Sequence, residues 1–397
     1  MKKLKVVYCF PSICHAGGVE RVLTTKVNYL ANQVDKYDVT IILTDGADRK
    51  PFYELSDEVK VINLHIEFEE LWEMSFIKKV PTYMKKQRLF KKRLRDMLME
   101  LRPDITVSTL HQEINFINNI PDGSKKIGEM LINRQHYRIF EADTTYSLKN
   151  IFAKWRLWSL TRKLRRLDGF VVLTQEDKLL WRELDNVSVI PYPLPAISEQ
   201  KSSLTEKRVI AVGRYVHEKG IDLLLQAWSM VEKRCPDWRL DVYGAGDAKP
   251  YHKLARELKL DETRYALNGP TNSLTQEYLN SSIFTLSSRF EGFGMVILEA
   301  MSHGLAVVSF DCPCGPKAII EKGVDGVLVE NGEPTKLAQR IVQLIEDENW
   351  RRALADRAWE KTRRYSIGVI GKQWEQLFAD FSDKDRPRQP LTDCATH

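Results

Sequence analysis

The feature that most constrains this chain is an alternation of short apolar, β-rich runs with stretches of helical periodicity. The runs lie at 5–10, 38–44, 104–109, 126–132, 169–173, 208–212, 239–243, 282–286 and 305–309. The helical stretches between them supply the crossovers of βαβ units around parallel sheets. The pattern starts twice. Run 5–10 leads into a loop ending Ala16-Gly17-Gly18 and a helix through residue 30, and run 208–212 leads into Gly213-Arg214 and a helix over 221–231. The fold class expected is α/β, with two doubly wound, Rossmann-like domains whose ligand sits at the carboxyl ends of strands in a cleft between them. The boundary is placed at Pro191-Tyr192-Pro193-Leu194-Pro195, where three prolines forbid regular structure. This gives domains 1–193 and 194–366, and the polar, proline-bearing end at 382–397 reads as a disordered tail.

Length and composition agree with this plan. A chain of 397 residues, 43% hydrophobic and 29% charged, has the profile of a globular protein with more than one core. No apolar run approaches the roughly 20 residues that cross a bilayer. The basic, briefly apolar start runs straight into a glycine turn and reads as a first strand rather than a signal peptide. Cys9, Cys14, Cys235, Cys312, Cys314 and Cys394 form no metal-binding or disulfide spacing, so reduced thiols in a cytoplasmic protein are expected.

Chemistry concentrates in Ser288-Arg289-Phe290-Glu291-Gly292-Phe293-Gly294-Met295, which runs into the apolar helix bearing Glu299. The glycines let backbone N–H groups approach a ligand, and a helix start favours an anion. An ionised Glu299 among Val, Ile, Leu and Ala costs several kcal/mol unless it is partnered, by about the desolvation penalty of a charge. The break before the helix leaves Glu291 in the loop and Glu299 in the second turn, so the two acids can reach different parts of one ligand. A compound with both hydroxyls and phosphate, such as a nucleotide sugar, fits; a solvated loop acid and an internal salt bridge are the plainer readings. Arg214 and Lys219, bracketed by Gly213 and Gly220 on a strand-to-helix loop, could hold a diphosphate, or be ordinary surface cations. Gly17 and Gly18 offer backbone contacts to a diphosphate, although many such turns carry glycine for conformation alone. His111, Glu113, Glu129 and His136 could orient an acceptor or donor-sugar hydroxyl or assist proton transfer, or be satisfied polar residues near loops.

Taken in order, Val212-Gly213-Arg214, Glu218-Lys219-Gly220, Asn268-Gly269, Glu291-Gly292-Phe293-Gly294, Leu298-Glu299-Ala300-Met301 and Gly323-Val324-Asp325-Gly326 resemble glycosyltransferase family 4. Gly17-Gly18-Val19-Glu20-Arg21 is similar to that family's glycine loop, and the resemblance covers about residues 5–380. It implies the GT-B fold, a retaining mechanism and no metal or other cofactor, in keeping with the lack of a D-x-D pair placed to hold one. By the same resemblance the first domain binds the acceptor and the second the nucleotide diphosphate sugar, and a helix at 367–381 returns to the first domain. Arg214 and Lys219 would grip the donor phosphates, and Glu291 with the Phe293, Gly294 and Met295 segment would hold the sugar. Glu299 would take the ribose, and Gly269 would lie beside the base. Relatives carry a histidine at the end of a mid-first-domain strand; here it is absent from the strand end and His136 appears several residues later.

Positive charge gathers in the first half. Residues 78–102 hold ten Lys/Arg against two acids, and 151–166 add six basic residues and no acid, with Trp155 and Trp158 among them. Phe90, Leu94, Met97, Leu98 and Leu101 mark one apolar helix face. An anionic membrane surface would attract such segments; two amphipathic helices packed on the sheet would also account for them, and no nucleic-acid module is visible. The leading expectation is a retaining glycosyltransferase that moves a hexose or N-acetylhexosamine, from a UDP-sugar by preference, to a lipid-linked glycan. It would work in the cytoplasm or at the inner face of the cell membrane, in cell-surface polysaccharide or lipopolysaccharide biosynthesis. The alternatives are a nucleotide-sugar epimerase or phosphorylase of the same fold, and a non-catalytic nucleotide-sugar-binding scaffold.

Overall fold

The computed structural model describes residues 2–47, 49–132, 134 and 148–382. It divides into two compact units, Met1–Pro195 with Ile367–His397, and Ala196–Ser366. The sequence-based boundary lay two residues earlier, after Pro193. The expected tail at 382–397 falls, from residue 383 onward, outside the described residues.

In the first unit seven strands form one parallel sheet: β1 (Leu4–Phe10), β2 (Tyr37–Leu43), β3 (Val59–Asn63), β4 (Ile105–Ser108), β5 (Lys125–Glu129), β6 (Gly169–Val172) and β7 (Val187–Val189). Their order is β3-β2-β1-β4-β5-β6-β7, so the chain changes direction across the sheet between β1 and β4. Alternate residues of β1 feed two cores. Val6, Tyr8 and Phe10 pack with Leu23, Val27 and Leu30 of the helix Gly18–Ala31 and with Trp374 and Phe378 of the helix Ile367–Ser382. Val7 and Cys9 face the other way, toward Phe90, Leu94 and Leu98 of the helix Phe76–Leu101. Both sheet faces are thus covered, which explains why β1 is apolar and buried from Val6 to Phe10. The helix Ile367–Ser382 is also tied to the first unit by Glu375, which accepts from the Tyr29 hydroxyl at 2.6 Å and from Gln33 Nε2 at 3.1 Å.

The second unit holds six parallel strands: β8 (Arg208–Val212), β9 (Arg239–Tyr243), β10 (Tyr265–Asn268), β11 (Ile283–Leu286), β12 (Ala306–Phe310) and β13 (Val327–Val329), in the order β10-β9-β8-β11-β12-β13. Its reversal point lies between β8 and β11. Leu224, Leu225 and Trp228 of the helix Ile221–Arg234 pack with Leu337, Ile341 and Leu344 of the helix Pro334–Glu346 over the strands.

Four of the strands, β3, β7, β10 and β13, are absent from the sequence-based assignment. All four are sheet edges. The helix face of Phe90, Leu94 and Leu98, open to two readings from sequence, is core: each is at most 2% exposed.

Candidate functional site

In an open parallel sheet the loops that leave the two strands flanking the reversal point splay apart and leave a crevice. In the second unit these are the loops after β8 and β11, and here they are stitched together. The amide of Arg289 donates to the Glu218 carbonyl at 2.8 Å, and the Ser287 hydroxyl donates to the Lys219 carbonyl at 3.0 Å. Gly220 makes this approach possible: its φ is +61°, and a Cβ there would lie 2.0 Å from the Ser287 carbonyl oxygen.

The stitching brings Lys219 and Glu291 into an ion pair, Nζ to Oε1 at 2.6 Å, although 72 positions separate them. The Ser288 hydroxyl donates to the same Oε1 at 2.6 Å. The Glu291 side chain is 8% exposed and that of Lys219 20% exposed, while Arg214 on the same loop is exposed. One ammonium has three donors, so Lys219 retains capacity for further acceptors beside Glu291.

Arg289 does a different job. It forms a bidentate pair with Asp222 at 2.8 and 2.6 Å and donates to the His217 carbonyl at 2.7 Å, fixing the β8 loop to the first turn of the next helix. Burial pushes the Asp222 carboxyl upward, but the bonds and charge of Arg289 outweigh it and hold the group below its ordinary value. Sequence reasoning missed this clamp; the visible signal was an acid in the first turn of a helix, a favoured position for one.

Gly294 caps the short helix Met295–Ser302 at φ +91°, and Met295 begins it half-buried. The Phe293 side chain is buried and meets Tyr365 edge-on at 6.2 Å, so this segment can offer a ligand its backbone while its ring belongs to the core. Glu299, in the second turn, is buried, and the Tyr278 hydroxyl donates to its Oε2 across 3.5 Å. Gly213 lies against the Lys219 side chain at the end of β8. Gly269 is exposed just after the edge strand β10. Cys312, on the loop after β12, backs the Glu291 carboxylate, and burial, then that carboxylate, pushes its thiol up. The five described cysteines are free thiols.

In the first unit the reversal point is flanked by the loops after β1 and β4. Gly17 caps the helix Gly18–Ala31 without a side-chain bond. The Glu20 carboxylate folds back over Gly17: a Cβ on that glycine would lie 1.9 Å from Oε2. Burial raises the Glu20 pKa. His111 is half-buried and edge-on to Phe10 at 6.2 Å. Glu113 is buried; it accepts from the Ser108 hydroxyl at 2.8 Å and the His111 amide at 3.0 Å, so its carboxylate orders the β4 loop. Glu129 is turned inward as well. Its carboxylate takes both bonds from Lys26, each side chain being 2% exposed. Glu113 and Glu129, possible ligand contacts by the sequence, are thus both buried and bonded within the first unit. His136 lies outside the described residues. Lys26 went unnoticed, although its spacing from Val22, Leu23 and Leu30 places it on the core face of its helix.

Residues 196–361 match the family described as glycosyl transferases group 1. The chain is 27% identical to an uncharacterized glycosyltransferase of Haemophilus influenzae, over 94% of this chain and 99% of the relative. It is 26% identical to the amylovoran biosynthesis glycosyltransferase AmsD of Erwinia amylovora, with 94% and 99% covered. It is also 26% identical to a Campylobacter jejuni α-1,4-N-acetyl-D-galactosaminyltransferase whose name specifies a diphosphoundecaprenol-linked glycan, with 92% and 96% covered. Among solved structures, Anabaena HepE in complex with UDP and glucose shares the fold at TM-score 0.70 and 17% identity, with 95% of this chain and 99% of that chain covered.

Proposed function

Since residues 196–361 match the glycosyl transferases group 1 family and the chain is a glycosyltransferase of the GT-B fold, we propose that it is a retaining enzyme. In this reading it moves a hexose or N-acetylhexosamine from a UDP-sugar to a lipid-linked glycan, in cell-surface polysaccharide or lipopolysaccharide biosynthesis. The observation that carries it is the convergence of Lys219, Ser288 and Glu291 at the carboxyl ends of β8 and β11, on loops of which the first also bears the exposed Arg214. Supporting the donor and acceptor classes are the UDP complex of HepE and the lipid-linked substrate in the name of the Campylobacter relative.

The chemistry follows from the charges. The bond between the sugar's anomeric carbon and the phosphate oxygen breaks, and a bond from the acceptor oxygen forms on the same face. The acceptor's proton passes to the leaving diphosphate. Arg214 and Lys219 meet the negative charge that grows on that group, with no metal ion taking part. Glu291, already held by Lys219 and Ser288, orients the sugar hydroxyls, and Glu299 takes the ribose. Preorganised donors of this kind are typically worth roughly 2.7–4 kcal/mol each in the barrier. The reading also includes a peripheral seat on anionic membrane at the cytoplasmic face, supported by Ile77 at 86% exposure and Trp155 and Trp158 at 56% and 59%, all among Lys and Arg. Among the described residues no helix is long and apolar enough to cross a membrane.

The test is UDP release from a panel of UDP-hexoses and UDP-N-acetylhexosamines by wild type, Arg214→Ala and Lys219→Ala. Each substitution is expected to lower kcat by about two to three orders of magnitude, with the melting temperature kept in Arg214→Ala, whose side chain is exposed. Near-normal turnover in either variant would remove that residue from the phosphate site.

A further inference from the structure

The first unit carries a second polar cluster, at the carboxyl ends of β1, β2 and β3, which no motif singled out. At its centre is the Glu69 carboxylate. Arg49 Nη2 donates to one oxygen at 2.5 Å, and His15 Nε2 lies 3.0 Å from the other. The Glu69 amide donates to Asp45 at 2.8 Å. Glu69 and Trp72 belong to the 3₁₀ turn Phe68–Trp72, where residues three apart share a face, and Trp72 is 75% exposed.

The loop that delivers this turn is strained and deliberately held. His65 and Glu67 adopt φ of +50° and +55°, left-handed conformations that non-glycine residues rarely take. Two cations of the basic helix hold it there. Lys86 donates to the carbonyls of Ile66 and Glu67, the latter at 2.8 Å, and Arg93 to those of Leu64 and His65. Such an arrangement exceeds what a solvated loop needs. It fixes a carboxylate, two flanking donors and an open indole face on one side of the unit.

We infer that Glu69, Arg49, His15 and Trp72 form a carbohydrate-binding subsite that holds a neutral sugar unit of the acceptor glycan. This rests on the glycosyltransferase reading above and assigns its acceptor a recognition site. A carboxylate with adjacent donors matches the paired hydroxyls of a sugar ring, and an exposed indole offers a surface for the ring's apolar face. Charge is close to balanced there, with Asp45, Glu67, Glu69 and Glu70 against Arg49, Lys86, Arg93 and the His15 imidazole, so the site offers no excess cation to draw an anionic sugar. Burial raises Glu69's pKa and the partnership with His15 and Arg49 lowers it; the net shift is downward, so the acceptor oxygens stay ionised at neutral pH.

The experiment uses the full chain on an array of neutral and acidic oligosaccharides, with UDP-induced thermal stabilisation measured in parallel. Wild type should bind neutral oligosaccharides. Glu69→Gln, which keeps a similar shape, and Trp72→Ala, which removes an exposed side chain, should each bind them about tenfold more weakly or worse, with the UDP shift unchanged. Variants that bind like wild type, binding confined to acidic glycans, or wild type that binds no neutral oligosaccharide would each overturn the subsite. Loss of the UDP shift in wild type would instead strike the donor reading on which it rests.

Discussion

Replacing Lys26 by Met should destabilise the first unit as much as a large-to-small core substitution, although it removes no apolar volume. Lys26 and Glu129 are each 2% exposed in their side chains, and the ammonium also sits 4.2 Å from the Trp374 ring centre and 5.1 Å from that of Tyr8. Burial lowers the Lys26 pKa, and Glu129 works against that by charge and hydrogen bond, so the cation depends on its partner. Removing one member of a buried pair strands the other, at a cost of about 3–5 kcal/mol. For a unit of this size each kcal/mol moves the melting temperature by about 2–4 °C, so a fall of roughly 6–20 °C is expected. The informative comparison is the double variant Lys26→Met with Glu129→Leu. Replacing both charges by apolar groups is often neutral or stabilising by about 1–4 kcal/mol, so the second substitution should rescue the first. Urea unfolding followed by tryptophan fluorescence gives all four corners of the cycle, with Trp374 as a local reporter. The reasoning fails if the single variant loses less than about 1 kcal/mol, or if the double variant is no more stable than Lys26→Met alone.

Burial raises the Asp177 carboxyl to about 6, against the lowering effects of the Arg134 amide and charge. A raised folded-state value means that the native protein binds the proton first. Stability therefore falls as pH climbs from about 4 to about 6 and stays lower above, and Asp177→Asn should flatten that slope and stabilise by about 1–3 kcal/mol at pH 8, checked by melting curves across pH. Gly220→Ala should push the loops after β8 and β11 apart through the Ser287 carbonyl, abolishing UDP-induced stabilisation and costing more than about 1 kcal/mol; a variant that binds UDP normally would refute the stitched-loop account. Ile77→Glu combined with Trp158→Glu should reduce flotation with anionic vesicles at least severalfold and leave neutral vesicles unaffected, whereas unchanged flotation would detach these residues from the membrane.

Interior strands were legible in the sequence and edge strands were not, for one reason. β1, β4, β8 and β11 are covered on both faces, so most of their positions are apolar or β-branched and the run announces itself. β3 reads Val-Lys-Val-Ile-Asn and is buried only at its first residue, and β7 is half-buried at all three positions, so neither carries a pattern distinct from a loop. The glycine-bracketed loops and the helix bearing Glu299 were likewise visible, because backbone conformation and helix periodicity are local properties. Partnership is not local. Lys219 meets Glu291, Arg289 meets Asp222, and Lys26 meets Glu129 across 72, 67 and 103 positions, and each pairing exists because the strand order sets two loops or a helix and a strand side by side. The amino-acid order by itself determined that two parallel α/β units would form and which loops would carry charge. Tertiary structure decided which charges face a ligand and which face one another, since only the packed sheet determines which carboxylates are left with water and which must find a cation.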